Sequence, residues 1–227
     1  MDITLIQEPT SFLYNRKNKK TILSGTAITE LIDCSMVLLH KADLRPLYVF
    51  NDSNQEKICL APQQKMEKPD LILFSDTEIG KQSARVIQEQ LFRGGCSTRI
   101  LPTNFSVPED NFENFKNRAI IRAESLEKRG FKHLVIVAPT EILDKISCCM
   151  TGKVLSGQHN IPIYSFSDGK EISDPNLSRG LSITRDILDN FLIRVIRKQE
   201  NPNFVKYKNS CPPLEVYQIE KKLHLRG

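Results

Sequence analysis

The chain has no tryptophan, and aromatic residues make up only 7% of its 227 positions. It also has no apolar run long enough to cross a bilayer and no basic-then-apolar leader at its start. None of the six cysteines, Cys34, Cys59, Cys96, Cys148, Cys149 and Cys211, forms a C-x-x-C pair, and no histidines cluster beside them. That spacing argues against a zinc site, so no metal and no cofactor is implied. Free thiols fit a reducing compartment, and a cytoplasmic location is the expectation. There is no glycine-rich phosphate loop, no G-x-S-x-G and no H-E-x-x-H. Charge of one sign is not in large excess either: the formal net charge is +5. That balance suits an acidic or anionic partner but is too small to argue for nucleic acid. The densest basic run, Arg16-Lys17-Asn18-Lys19-Lys20, reads as a solvated loop.

What is present is an alternation of strand and helix patterns. Ile3–Gln7, Leu71–Phe74, Thr98–Leu101, Leu134–Ala138 and Ile161–Phe166 read as strands of a core sheet. Leu47–Phe50 and Ile58–Leu60 read as a short hairpin around Asn51-Asp52-Ser53-Asn54. Helices are predicted over 28–42, from a Ser75 or Asp76 cap to about Phe92, over 110–129, and after Pro139 in a first turn. Residues 168–180 read as a loop, and 181–198 as a helix with an apolar stripe through Ile187, Phe191, Leu192 and Val195. Such alternation predicts a three-layer α/β/α sandwich with a mostly parallel central sheet. The expected division is an α/β domain over 1–167, with a C-terminal helix and tail over 168–227 packed on it.

Ligands of such folds bind beyond the carboxyl ends of the strands, where Gln7-Glu8, Ser75-Asp76 and Ala138-Pro139 lie. Other reactive side chains have bland readings. His40 sits at a helix end, where histidine caps carbonyls. His133 and His159 precede strands and are expected to be exposed. Cys148 and Cys149 continue an apolar helix face as core thiols.

Several blocks, in order, resemble the histidine phosphatase (phosphoglycerate mutase-like) family over roughly residues 1–155. Ile3-Thr4-Leu5-Ile6-Gln7-Glu8-Pro9-Thr10 resembles the strand that runs into that family's Arg-His-Gly. Ala27-Ile28-Thr29-Glu30 resembles the start of its first helix. Asp70–Ser75 followed by Lys81-Gln82-Ser83-Ala84 resembles its second strand and helix. Asn111, Phe115 and Arg118 resemble its Ser-x-x-x-Phe-x-x-Arg. His133–Pro139 resembles the last core strand, which in the family ends in Ser-His-Gly, and Met150-Thr151-Gly152 suits the end of the following helix.

The family's chemistry uses a neutral histidine nucleophile, two arginines and a second histidine around the phosphoryl oxygens, and a carboxylic acid for the leaving group. Carried over by position, the first arginine falls on Gln7, the nucleophile on Glu8, the glycine on Pro9 and the second arginine on Ile79. The acid falls near Thr103 and the second histidine on Pro139. None of the reactive groups survives. One opposite-charge pair at about 4 Å is worth about 4 kcal/mol at an effective dielectric near 20, so exchanging cations for Glu8 removes the basis of phosphate binding.

The resemblance therefore implies a catalytically inactive protein that binds a protein partner or a small non-phosphate ligand. The degenerate pocket would comprise Gln7, Glu8, Asp76, Ile79, Thr103, Pro139 and Thr140, and residues 183–198 offer a homodimer contact. Two other readings remain. One is an enzyme of altered chemistry using Glu8 with Asp76 or Thr140, or a hydrolase of the same fold with displaced catalytic residues. The other is a different doubly wound α/β protein.

Overall fold

The computed structural model describes residues 1–15, 20–51, 56–62, 64–103, 112–155, 163–168, 170–172 and 181. Most of the predicted helix at 181–198, the homodimer contact at 183–198, Asn111 and His159 lie outside them. Its contacts divide the chain into two units. One comprises Met1–Pro46 and Ala61–Ser178; the other comprises Leu47–Leu60 and Arg179–Gly227.

In the first unit, β1 (Asp2–Gln7), β8 (His133–Ala138), β6 (Leu71–Ser75) and β7 (Arg99–Thr103) run parallel. β9 (Ile163–Ser167) pairs antiparallel with β1, and β10 (Lys170–Ile172) with β9. The six-stranded order is β10-β9-β1-β8-β6-β7. β6 and β8 are buried along their whole length, as their unbroken apolar runs require of strands covered on both faces. On one face, Leu5, Leu73 and Ile136 pack with Phe115 and Leu126 of α3 (Phe112–Lys128) and Leu143 of α4 (Thr140–Thr151). Full burial of one such leucine contributes roughly 1.5–3 kcal/mol. α1 (Gly25–Lys41) packs against α2 (Glu78–Arg93), and α2 against β6, β7 and β8. The result is the three-layer α/β/α sandwich with a mostly parallel central sheet.

A hairpin of β2 (Phe12–Asn15) and β3 (Lys20–Leu23) occupies the stretch that the sequence presents as a polar loop. Its alternation is hidden because apolar Phe12, Leu13 and Tyr14 follow one another and stay largely exposed. In the second unit, β4 (Leu47–Asn51) and β5 (Glu56–Leu60) form the anticipated hairpin.

Other sequence expectations are corrected. β7 is the sheet's edge, not a core strand; Pro102, which lacks an N–H to donate, suits an edge. Thr77, rather than Ser75 or Asp76, caps α2: its hydroxyl accepts from Gly80 N at 2.9 Å. Pro139 is the N-cap of α4, one residue before its first turn. β10 lies inside the segment read as loop. His133 is fully buried, not exposed, because both ring nitrogens find partners in the interior.

Candidate functional site

The carboxyl ends of β1, β8, β6 and β7 bring the sequence-predicted positions to one end of the sheet. Gln7 ends β1 opposite Ala138, and the Glu8 N–H donates to the Ala138 carbonyl oxygen at 3.0 Å. Pro139 and Thr140 follow at the start of α4. Two strands over, Ser75 ends β6, and Thr103 ends β7 beside it. Asp76, Thr77 and Ile79 lead into and begin α2.

The side chains gathered there are only partly those predicted. The Ser75 hydroxyl donates to Glu8 Oε1 in a close contact. Ser75 Oγ also lies 3.1 Å from Thr77 Oγ1, which accepts from Gly80 N. The Thr77 N–H donates to the Ser75 carbonyl oxygen at 2.6 Å, turning the chain tightly between β6 and α2. Glu8, Ser75 and Thr77 thus form one polar knot at the N-terminus of α2, where the first-turn N–H groups favour negative charge. Burial pushes the Glu8 carboxyl up from 4.5 to about 7, against a smaller opposing effect of its hydrogen bond with Thr77.

Gly80 permits this approach. A Cβ there would stand 2.5 Å from both the carbonyl oxygen and the hydroxyl of Ser75, and 2.8 Å from Glu8 Oε1. The first turn of α2 rests directly on the carboxyl.

The remaining predicted positions behave differently. Asp76 and Thr140 are exposed, and no hydrogen bond joins either to Glu8 among the described residues. Gln7, Ile79 and Pro139 are half-buried. Thr103 is buried and accepts from Arg122 Nη2 of α3 at 2.8 Å, which brings a guanidinium to the end of β7.

Thr77, Gly80 and Arg122 are not among the sequence candidates, and Ser75 enters there only as a residue at the strand-end crevice, not as a pocket member. Ser75 and Thr77 carried a usable signal, since small hydroxyl residues between a buried strand and a helix pattern sit at a strand-end crevice. Arg122, four residues beyond Arg118, carried none. Among the described residues no group of three or more histidine, cysteine or acidic side chains is placed to hold a metal ion. No described helix is long and apolar enough to cross a membrane.

The sequence matches no protein-family model. It also matches no curated protein sequence. Among solved structures, a phosphoglycerate mutase from Bacillus anthracis str. Sterne aligns over 79% of this chain and 96% of its own, at 8% identity and a TM-score of 0.43. The alpha-ribazole phosphatase from Shigella flexneri aligns over 77% of this chain and 95% of its own, at 13% identity and a TM-score of 0.41. These are distant likenesses of fold and give no family assignment.

Proposed function

We propose that this chain is a non-catalytic binding module whose strand-end crevice takes a protein segment or a small non-phosphate ligand. The observation that carries the reading is the position of Glu8. A helix N-terminus at a strand end is a ready anion site. Here the chain's own Glu8 carboxyl stands at that place, accepting from the Ser75 hydroxyl and hydrogen-bonded with Thr77. An incoming phosphate would have to displace that group or meet its charge. The seven pocket positions carry no cation to offset this, and no ion pair among the described residues joins Glu8 to Arg122, whose guanidinium donates to Thr103 at the end of β7.

A second reading has one observation in its favour. A carboxyl with a pKa near 7 is matched to general-base work at neutral pH, and the Ser75 hydroxyl touches it. Against it, Ser75 is buried and covered by the first turn of α2, so it is poorly placed to meet a substrate.

The test pairs catalysis with binding. The purified chain is assayed on p-nitrophenyl phosphate, and its melting is followed with inorganic phosphate. No turnover above background and no stabilisation by phosphate are expected. Turnover that disappears in Glu8→Ala would overturn the reading and favour the second.

A further inference from the structure

We infer that the outer edge of β2 is a self-association surface, through which two copies of this chain join their hairpins into one four-stranded antiparallel sheet. The Ser24 N–H donates to the Ser11 carbonyl oxygen at 3.3 Å, so Ser11 and Ser24 form a hydrogen-bonded pair at the base of the hairpin. Pairs alternate in an antiparallel ladder. With Leu13 opposite Ile22 and Phe12 opposite Leu23, the next hydrogen-bonded pair is Leu13 and Ile22. The backbone groups of Phe12 and Tyr14 on β2, and of Thr21 and Leu23 on β3, therefore point away from the hairpin.

The two outer edges are treated differently. On β3 the Gln82 side chain acts as a substitute strand: its Nε2 donates to the Thr21 carbonyl oxygen at 2.8 Å, and its Oε1 accepts from Leu23 N at 3.1 Å. On β2 no described group bonds to the outward N–H and C=O of Phe12 or Tyr14. Three consecutive large apolar residues border this open edge, with Phe12 55%, Leu13 59% and Tyr14 60% exposed. An open edge flanked by apolar side chains is a template for an added strand.

The occupant follows from the symmetry of the edge. A second β2 laid antiparallel, with Leu13 on the two-fold axis, sets Phe12 of each copy opposite Tyr14 of the other. The outward groups then match donor to acceptor, with two N–H and two C=O groups from each copy. Phe12 and Tyr14 form aromatic cross-strand pairs on one face. Leu13 meets Leu13 on the other, beside Ile22 of each hairpin. Aromatic cross-strand pairs are favourable. None of Phe12, Leu13 and Tyr14 is charged, so the net charge of +5 sets no like charges against each other within the paired stretch. The contact is isologous, as a two-fold dimer requires.

The experiment is sedimentation equilibrium of the full chain over a concentration series, with folding of each variant followed by circular dichroism. The parent is expected to show a reversible monomer–dimer equilibrium. Leu13→Lys and Leu13→Glu each place like charges on the axis, and each alone is expected to weaken association roughly tenfold or more. Mixing the two variants restores the dimer. Phe12→Pro removes an outward N–H without removing a bond inside the hairpin, and is expected to abolish the dimer while the chain stays folded. A parent that stays monomeric throughout overturns the proposal. So does a dimer indifferent to Phe12→Pro, or one lost in both charge variants and not recovered on mixing.

Discussion

The Thr4 hydroxyl donates to His133 Nε2 across 2.9 Å in the interior of the sheet. The direction follows from the other ring nitrogen. His133 Nδ1 lies 2.6 Å from the Glu67 carbonyl oxygen, which can only accept, so Nδ1 holds the proton and Nε2 of the neutral ring accepts. Thr4 Oγ1 is then free to accept from Ser165 Oγ at 3.2 Å. A chain of hydrogen bonds thus ties β9 to β1, β1 to β8, and β8 to the segment before β6. Removing one link leaves a buried nitrogen unsatisfied. Thr4→Val is expected to cost about 1–3 kcal/mol in urea unfolding at neutral pH.

The same histidine sets a pH dependence. Burial holds the His133 pKa below its ordinary 6.5. The unfolded chain therefore binds more protons than the native one between the depressed value and 6.5, and stability falls as pH drops through that window. In denaturant titrations at successive pH values the parent should lose this stability on acidification, whereas His133→Gln, weaker throughout, should lose less. A parent no more acid-sensitive than the variant contradicts the buried neutral ring.

Glu8 works in the opposite direction. Its folded pKa is raised from 4.5 to about 7. The native state binds the extra proton between these values, so this contribution is complete below 4.5 and is lost as pH rises through about 7. Glu8→Gln keeps a group of similar shape that cannot ionise. It should flatten the fall in stability between these pH values, and by pH 8 it should match or exceed the parent. An identical pH profile in parent and variant would place the carboxyl in water instead.

Much of this fold was legible because its strongest signals are long and local. The apolar runs Leu71–Phe74 and Leu134–Ala138 admit little but buried strands, and Gly94-Gly95 and Gly130 mark helix ends, Gly130 with a φ of 86°. The strand-end location of Glu8 came with them. The partners of Glu8 were less visible, because Ser75 and Thr77 reach it across a neighbouring strand rather than along the chain. The burial of His133 is hidden from the sequence for a related reason. Its position at the start of a strand implies solvent, and only the tertiary path of Glu67 over it implies burial. The β2–β3 hairpin is not legible because an exposed ribbon apolar on both faces lacks the alternation by which half-buried strands are recognised.

Two helical glycines are expected to respond in opposite ways to the same change. Gly25, the first residue of α1, has open space where a Cβ would stand, and its φ is not positive. Gly25→Ala narrows the unfolded ensemble without strain and should stabilise by about 0.4–1 kcal/mol. Gly80 occupies the same kind of position in α2, two residues after its start, but the space is taken. An added Cβ meets the Ser75 backbone oxygen at 2.5 Å, and backbone gives way less readily than a side-chain end. Relief requires α2 to shift away from β6, loosening the contact between Ser75 and Glu8. Gly80→Ala should therefore destabilise by roughly 1–3 kcal/mol, the usual scale of overpacking. It should also lower the Glu8 pKa, because the displaced helix admits water to the carboxyl. Carboxyl-carbon NMR titration of Glu8 in parent and variant reads that shift. A destabilised variant with an unchanged Glu8 titration would show that the helix closes over Ser75 without setting the environment of Glu8.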